Sequence, residues 1–348
     1  MANYLTTDTE LTSIANAIRT KGGTQAQLTY PTGFVSAIND IPTGGGKPSV
    51  VLSYNQQYRF RGQTGADLIA AVDFTTSNLS DIQYMFEGYT GTTIPFSLNI
   101  GSLSSIQYLF SKCYYLTTLP TINFNSSGLA ANGGLVYMFD HCEKITTIPD
   151  GYFSTYDFTA NHSGTGQMGQ YMFNCCYSLT HIDSGLLPNL YSSRTNANAW
   201  QYLFSACWNL QDILNLGIFH PTKTVSNNML YRAFDGCSSL SRLTFEANGA
   251  VRNYSNQTID LSQSVGYGQA QTYFDGRTLA DSVYNHASAV ETINSLPDCS
   301  AVSSPSAPTN QIIFKAGAGA NTAGGSISDL TAAEIEVATN KGWQVVIQ

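Results

Sequence analysis

Charge is scarce in this chain: Asp, Glu, Lys and Arg make up 11% of its 348 residues, against about a quarter in ordinary soluble proteins. The formal net charge is −8, and Lys and Arg form no cluster. The electrostatic footprint of nucleic-acid binding is therefore missing, and a DNA or RNA role is excluded. Long apolar runs are absent too. No stretch reaches the ~18 consecutive apolar residues that a spanning helix needs, so no membrane insertion is expected. Residues 1–16 hold neither a basic leader nor an apolar core, and the expectation is a protein made and kept in a cytoplasm unless assembly carries it out. The five His, at 141, 162, 181, 220 and 286, never fall at ligand spacing with one another or with Cys, which argues against zinc.

Motifs of nucleophilic and nucleotide chemistry are missing as well. There is no G-x-S-x-G, and Gly44-Gly45-Gly46-Lys47-Pro48 has neither the first Gly nor the continuation of a phosphate loop. Gly164-Thr165-Gly166-Gln167-Met168-Gly169 spells G-x-G-x-x-G, but it follows a polar loop where a dinucleotide site needs a strand. A glycosidase would need two carboxylates about 5 to 10 Å apart. Asp183 and Asp212 could supply them from neighbouring coils, yet nothing beyond position marks the pair. The expectation is a non-enzymatic protein with no cofactor and no metal.

What the chain has instead is one phrase written six times. Tyr-Met-Phe at 84–86 returns as Tyr-Leu-Phe at 108–110, Tyr-Met-Phe at 137–139 and 171–173, Tyr-Leu-Phe at 202–204 and Arg-Ala-Phe at 232–234. Three residues after the Phe stands Cys113, Cys142, Cys176, Cys207 or Cys237, with Tyr89 in the first copy. Leu116, Ile145, Leu179, Leu210 and Leu240 follow three further on, then Leu119, Ile148, Ile182, Ile213 and Leu243. The Phe steps are 24, 29, 34, 31 and 30 residues. A period in that range with fixed apolar offsets indicates a solenoid, since one unit cannot bury its own apolar side and each coil must cover the next. The Phe, Cys and Leu/Ile positions become ladders along the axis. The variable steps fall in Gly/Asn/Ser/Thr-rich segments, which read as surface loops. Of the seven Cys, the five in the ladder are expected reduced and packed as small hydrophobes.

The phrase F-x-x-C-x-x-L-x-x-[LI] resembles the BspA-like class of leucine-rich repeats, found in bacterial surface proteins and phage structural proteins. That resemblance covers about half the chain. It implies a leucine-rich-repeat solenoid with a short helical turn from the aromatic to the Cys and a short parallel strand at L-x-x-[LI] in every coil.

Outside the array, Thr7 to Glu10 form a capping box that opens a helix over about 8–20, ended by Lys21-Gly22-Gly23. Pro31 opens a second helix that Pro42 stops. The wording of 11–24 and 30–38 is similar to an N-terminal module on structural proteins of phages that infect Gram-positive hosts. Residues 1–42 thus read as a helical attachment module on a virion tail or capsid protein, 43–48 as a Gly-rich linker, 49–80 as an N-terminal cap, 81–245 as the repeats and 246–348 as a degenerate repeat with an α/β C-terminal cap. Within the first cap Val50–Tyr54 and Gln57–Arg61 read as strands, and Tyr273 to Gly276 as a seventh copy. Leu279, Val283, Ala287, Val290, Ile293 and Leu296 have helical spacing. Gln311–Phe314 reads as a strand, Thr331 to Glu334 as a capping box, and Trp343–Ile347 as a last strand. The ending at 330–343 is again similar to phage-borne BspA-like proteins.

The outward positions supply the candidate site. Tyr114, Tyr115, Tyr177 and Trp208 follow the Cys, and His181, Asp212 and Arg242 lie between the two Leu/Ile ladders beside Thr117, Thr118, Thr146 and Thr147. Aromatic rings at coil spacing can stack on sugars or anchor a protein, or fold back onto neighbouring coils as packing. The expected function is a phage virion structural protein, a tail or head fibre and a homo-oligomer such as a trimer. It would bind a host-surface glycan or protein through the strip. A bacterial surface adhesin with the same repeats and a phage decoration protein with the array as spacer remain alternatives.

Overall fold

The computed structural model describes Asn16 and residues 50–55, 57–63, 72–94, 97–99, 106–124, 134–153, 169–182, 199–217, 224–225, 228–246, 251–262, 284–318 and 323–348. The chain divides into two compact units, 1–51 with 71–73, and 52–70 with 74–348. The two expected N-terminal helices, the linker and the seventh copy at Tyr273–Gly276 lie outside the described residues, except that Asn16 is helical and exposed. β1 (Val50–Asn55) and β2 (Val72–Asp81) each run from the first unit into the second.

The second unit is built on the repeated phrase, each copy of which folds as a run of overlapping tight turns. In the first copy Met85 N–H bonds Ile82 C=O, Glu87 bonds Tyr84 and Tyr89 bonds Phe86. The outer two of these turns carry a residue with positive φ at their third position, Tyr84 at 57° and Gly88 at 70°, the requirement of a type II turn. The same two places recur as Tyr108 with Lys112, Tyr137 with His141, Tyr171 with Cys175 and Tyr202 with Ala206, all with φ between 54° and 61°. A short helical turn between the aromatic and the Cys, as expected, is therefore replaced by chained turns. The physical reason is that every second N–H leaves the rung. Tyr84, Phe86 and Gly88 donate to Gln107, Leu109 and Ser111, and Tyr137, Phe139 and His141 to Gln170, Met172 and Asn174. A helix would have kept those donors inside the rung.

The left-handed conformation costs a Tyr about 1 kcal/mol or more, and stacking offsets it. Tyr58, Tyr84, Tyr108, Tyr137, Tyr171 and Tyr202 form a column of near-parallel rings with centroids 4.4 to 4.8 Å apart. Behind it runs the Phe column, 60, 86, 110, 139, 173, 204 and 234, with spacings of 5.4 to 6.4 Å. Apart from Phe60, at 3% exposure, these Phe are wholly buried. Tyr58 and Phe60 belong to a turn whose N–H groups donate to Gln83 and Met85. Gln57–Arg61 is thus a further rung ahead of the six copies, and the expected strand there is absent.

The Cys ladder is buried and unpaired. Each thiol donates to the carbonyl of the preceding rung's Phe: Cys113 to Phe86, Cys142 to Phe110, Cys176 to Phe139, Cys207 to Phe173 and Cys237 to Phe204, at 3.1 to 3.3 Å. A small apolar side chain with one weak donor suits that place. The Leu/Ile positions that follow are buried as well, Leu119 alone being half-buried. Short parallel strands begin near the second of them. β3 (Leu98–Asn99) pairs with β4 (Ile122–Asn123), and β5 (His181–Ile182), β6 (Asp212–Leu216) and β8 (Arg242–Phe245) form a parallel sheet with Ile182, Ile213 and Leu243 in register. β7 (Thr224–Val225) pairs with β9 (Asn253–Tyr254).

The exposed edge of β8 is covered by α1 (His286–Ser295), which Asn285 caps. Thr292 Oγ1 donates to Leu243 C=O at 2.6 Å and Ser295 Oγ accepts Phe245 N–H at 3.1 Å, so the helix satisfies the edge groups that would otherwise invite pairing. Beyond it, β10 (Thr258–Asp260), β11 (Asn310–Phe314) and β12 (Trp343–Ile347) form a parallel sheet with Ile259, Ile312 and Val345 in register. α2 (Ala332–Asn340) opens on the Thr331/Glu334 capping box and gives way to β12 at Gly342, whose φ is 81°.

Candidate functional site

The strip residues arise from two columns of the rungs. In the first, Tyr177 and Trp208 stand one residue after Cys176 and Cys207, so rung pitch brings their rings together at 4.0 Å and 11°. Tyr177 turns its edge to His141, 6.3 Å away, and His141 meets Tyr114 edge-on at 6.1 Å. The row is therefore Tyr114, His141, Tyr177, Trp208. Tyr114 is 40% and Tyr115 54% exposed. Desolvation first, then a hydrogen bond with Cys175, raise the Tyr177 phenol above its ordinary range. His141 was not a sequence candidate: it sits at the left-handed place of its turn, which Lys112, Cys175 and Ala206 occupy in other rungs, and no residue pattern marks that column.

The second column is set by strand register, which aligns His181, Asp212 and Arg242 on β5, β6 and β8. His181 Nδ1 lies 2.9 Å from Asp212 Oδ2, and Ser241 Oγ donates to Asp212 Oδ1 at 3.4 Å. The hydroxyl thus faces the carboxylate and not the imidazole, so the three groups do not form a nucleophile with its base. Arg242 closes a bidentate pair with Glu291 of α1 at 2.6 and 3.0 Å. That guanidinium holds the Glu291 carboxyl below its usual range. Thr117 Oγ1 donates to Thr92 C=O and Thr180 Oγ1 to Thr146 C=O, while Thr117, Thr118, Thr146 and Thr147 are exposed.

A third column, one residue past the Phe, was not foreseen. It holds Glu87, Ser111, Asp140, Asn174, Ser205 and Asp235, of which Glu87, Asp140 and Asp235 are buried carboxyls. Glu87 is paired with Arg61 at 2.8 Å and Lys112 at 3.1 Å. Asp140 accepts from Asn174 at 2.8 Å, and burial raises its pKa nonetheless. Asp235 is pushed up to about 6 by burial against the pull of Arg232, with Asp260 adding a like charge. Asp183, the suggested partner of Asp212, lies outside the described residues, as do Gly164 and Gly166. Gly169 has a packing reason of its own. A Cβ there would lie 2.2 Å from the Trp200 ring.

Among the described residues no group of three or more His, Cys, Asp and Glu is placed to hold a metal, and no helix is long and apolar enough to cross a membrane. No family model, curated protein or solved structure matches the chain.

Proposed function

We propose that the chain is a non-enzymatic phage virion protein of the tail or head-fibre type. Its stacked rungs are read as a BspA-like leucine-rich-repeat solenoid, attached through residues 1–42 and presenting a face to the host-cell surface. The supporting observation is the aromatic row Tyr114, His141, Tyr177 and Trp208 on consecutive rungs, with exposed threonines in the same coils. Rings fixed by their neighbours lose little entropy on binding, and uncharged hydroxyls can meet a glycan without attracting every anion. Tyr177→Ala with Trp208→Ala should weaken adsorption to host cells at least tenfold with the fold intact, as read by circular dichroism.

One observation favours a second reading, in which the array is a spacer. The inner faces of Tyr177 and Trp208 cover each other, and the Arg242 fork is filled by Glu291. Unaltered adsorption by the double variant would select that reading and remove the strip.

A further inference from the structure

Two columns hold their residue type through the array and break together in the last copy. The Tyr column running from Tyr58 to Tyr202 becomes Arg232. The place before it, Gln83, Gln107, Gln170 and Gln201 with Val136 as the exception, becomes Tyr231. Both departures line one cavity of about 390 Å³, together with Asn228 from the same rung and Thr258 and Asp260 from β10. That volume lies within the range of small-ligand sites.

The lining is fixed before any ligand arrives. Asn228 Oδ1 accepts the N–H groups of Leu230 and Thr258, both at 3.3 Å. Asp260 Oδ1 accepts from Ser262 N–H at 2.9 Å and from its hydroxyl at 2.6 Å. The Arg232 guanidinium lies over the Tyr231 and Tyr202 rings at 5.6 and 6.0 Å, donates through Nη1 to the Tyr202 hydroxyl and is 3.5 Å from Asp235. Each anchor uses one end of a side chain and leaves the other: the Asn228 amide nitrogen and Arg232 Nη2 as donors, Asp260 Oδ2 as acceptor, and the Thr258 hydroxyl as either. Tyr231 adds a ring that is 42% exposed.

We propose that this cavity binds one pyranose unit of a neutral carbohydrate. A sugar ring offers donor and acceptor hydroxyls at each carbon and an apolar C–H face, which match the mixed polar groups and the Tyr231 ring. Asp235 stands 3.5 Å from the single guanidinium and Asp260 shares the lining with it, so a free anion meets two carboxylates for one cation, and an apolar ligand would strand the polar lining. The site is separate from the aromatic row and does not depend on the strip.

The full-length protein would be titrated with the methyl pyranosides of glucose, galactose, mannose and rhamnose and with N-acetylglucosamine, using saturation-transfer NMR and calorimetry, with sialic acid and inorganic phosphate as anionic comparators. At least one neutral pyranose should bind. Measured in the Tyr177→Ala, Trp208→Ala background, which removes the aromatic row as a second sugar site, its affinity should fall at least tenfold on adding Asp260→Asn or Tyr231→Ala. Should Asp260→Asn fail to fold because Ser262 loses its partner, Tyr231→Ala at an exposed ring carries the comparison. No binding by any neutral pyranose, binding by the anions alone, or binding that survives Tyr231→Ala would each overturn the proposal.

Discussion

The position two residues before the Tyr column is Ile82, Ile106, Leu135, Gly169, Trp200 and Leu230 along the stack, and all but Gly169 and Trp200 are aliphatic. Those two compensate for each other, since the Trp200 ring occupies the space into which a side chain at 169 would project, with Cζ3 2.2 Å from where a Cβ would stand. Replacing Gly169 by Leu forces that wholly buried ring aside, an overpacking that costs about 1 to 3 kcal/mol. Trp200→Leu removes most of an indole and leaves a cavity over the glycine, costing roughly 2 to 4 kcal/mol by comparison with other buried Trp truncations. Made together, the two substitutions restore the aliphatic pair that Ile106 and Leu135 already form. The double variant should then lie within about 1 to 2 kcal/mol of the parent, far from the sum of its parts. Urea denaturation of the four proteins, followed by tyrosine and tryptophan fluorescence and by far-ultraviolet circular dichroism, measures the cycle. Additive losses would show that the glycine and the ring are independent, and the compensation argument would fail.

Four further outcomes follow from the columns. Intact-mass thiol counting after denaturation without reductant should find Cys113, Cys142, Cys176, Cys207 and Cys237 free; two or more disulfides among them would contradict the thiol-to-carbonyl ladder. In the native protein a thiol reagent should react slowly with Cys142, Cys176, Cys207 and Cys237, because burial pushes all four thiols up. Phe139→Ala, in the middle of the Phe column, should cost about 3 to 5 kcal/mol, measured as a shift in the denaturation midpoint. Asp235 titrates at about 6 in the folded chain, above its unfolded value near 4, so the folded state holds the extra proton between these limits. Its contribution is therefore greatest below about pH 4 and falls as pH rises through 6; Asp235→Asn should flatten that slope and gain about 2 kcal/mol at neutral pH, as checked by thermal melts across the range.

The repeat could be read from the sequence because its apolar offsets hold in five of the six copies: the same spacing from Phe to Cys to Leu buries the same columns. The C-terminal elements were legible for a local reason, since Thr331 and Glu334 make a reciprocal cap that depends on four residues. The chained turns were not. Tyr84 or Tyr137 in a left-handed conformation runs against intrinsic preference, and stacking between residues 24 to 34 apart in sequence overrides it. The rung at Gln57–Arg61 carried the signal Tyr58-x-Phe60, but with neither a Cys nor a Leu at the repeat offsets after it. Of the candidate site, the place of His181, Asp212 and Arg242 between the two repeated Leu/Ile positions put them in one row. That Tyr177 and Trp208 spend a face on each other, and that Glu291 takes Arg242 from 49 residues away, are tertiary facts that no local spacing contains.

In the chained turns, the N–H groups that leave each rung point toward the rung that follows in sequence, from Tyr58 to Gln83 through to Ala206 to Asp235. Past the Cys the sense reverses: Thr117, Ser178, Thr180, Gln211, Ser239 and Ser241 donate to Thr92, Glu143, Thr146, Thr180, Trp208 and Gln211 of the rung before. The two sides of a rung thus send their peptide dipoles in opposite senses along the stack, so their moments offset each other where those of a helix would add. A rung is therefore bound to its neighbours by two opposed rows of hydrogen bonds, one given forward and one given back.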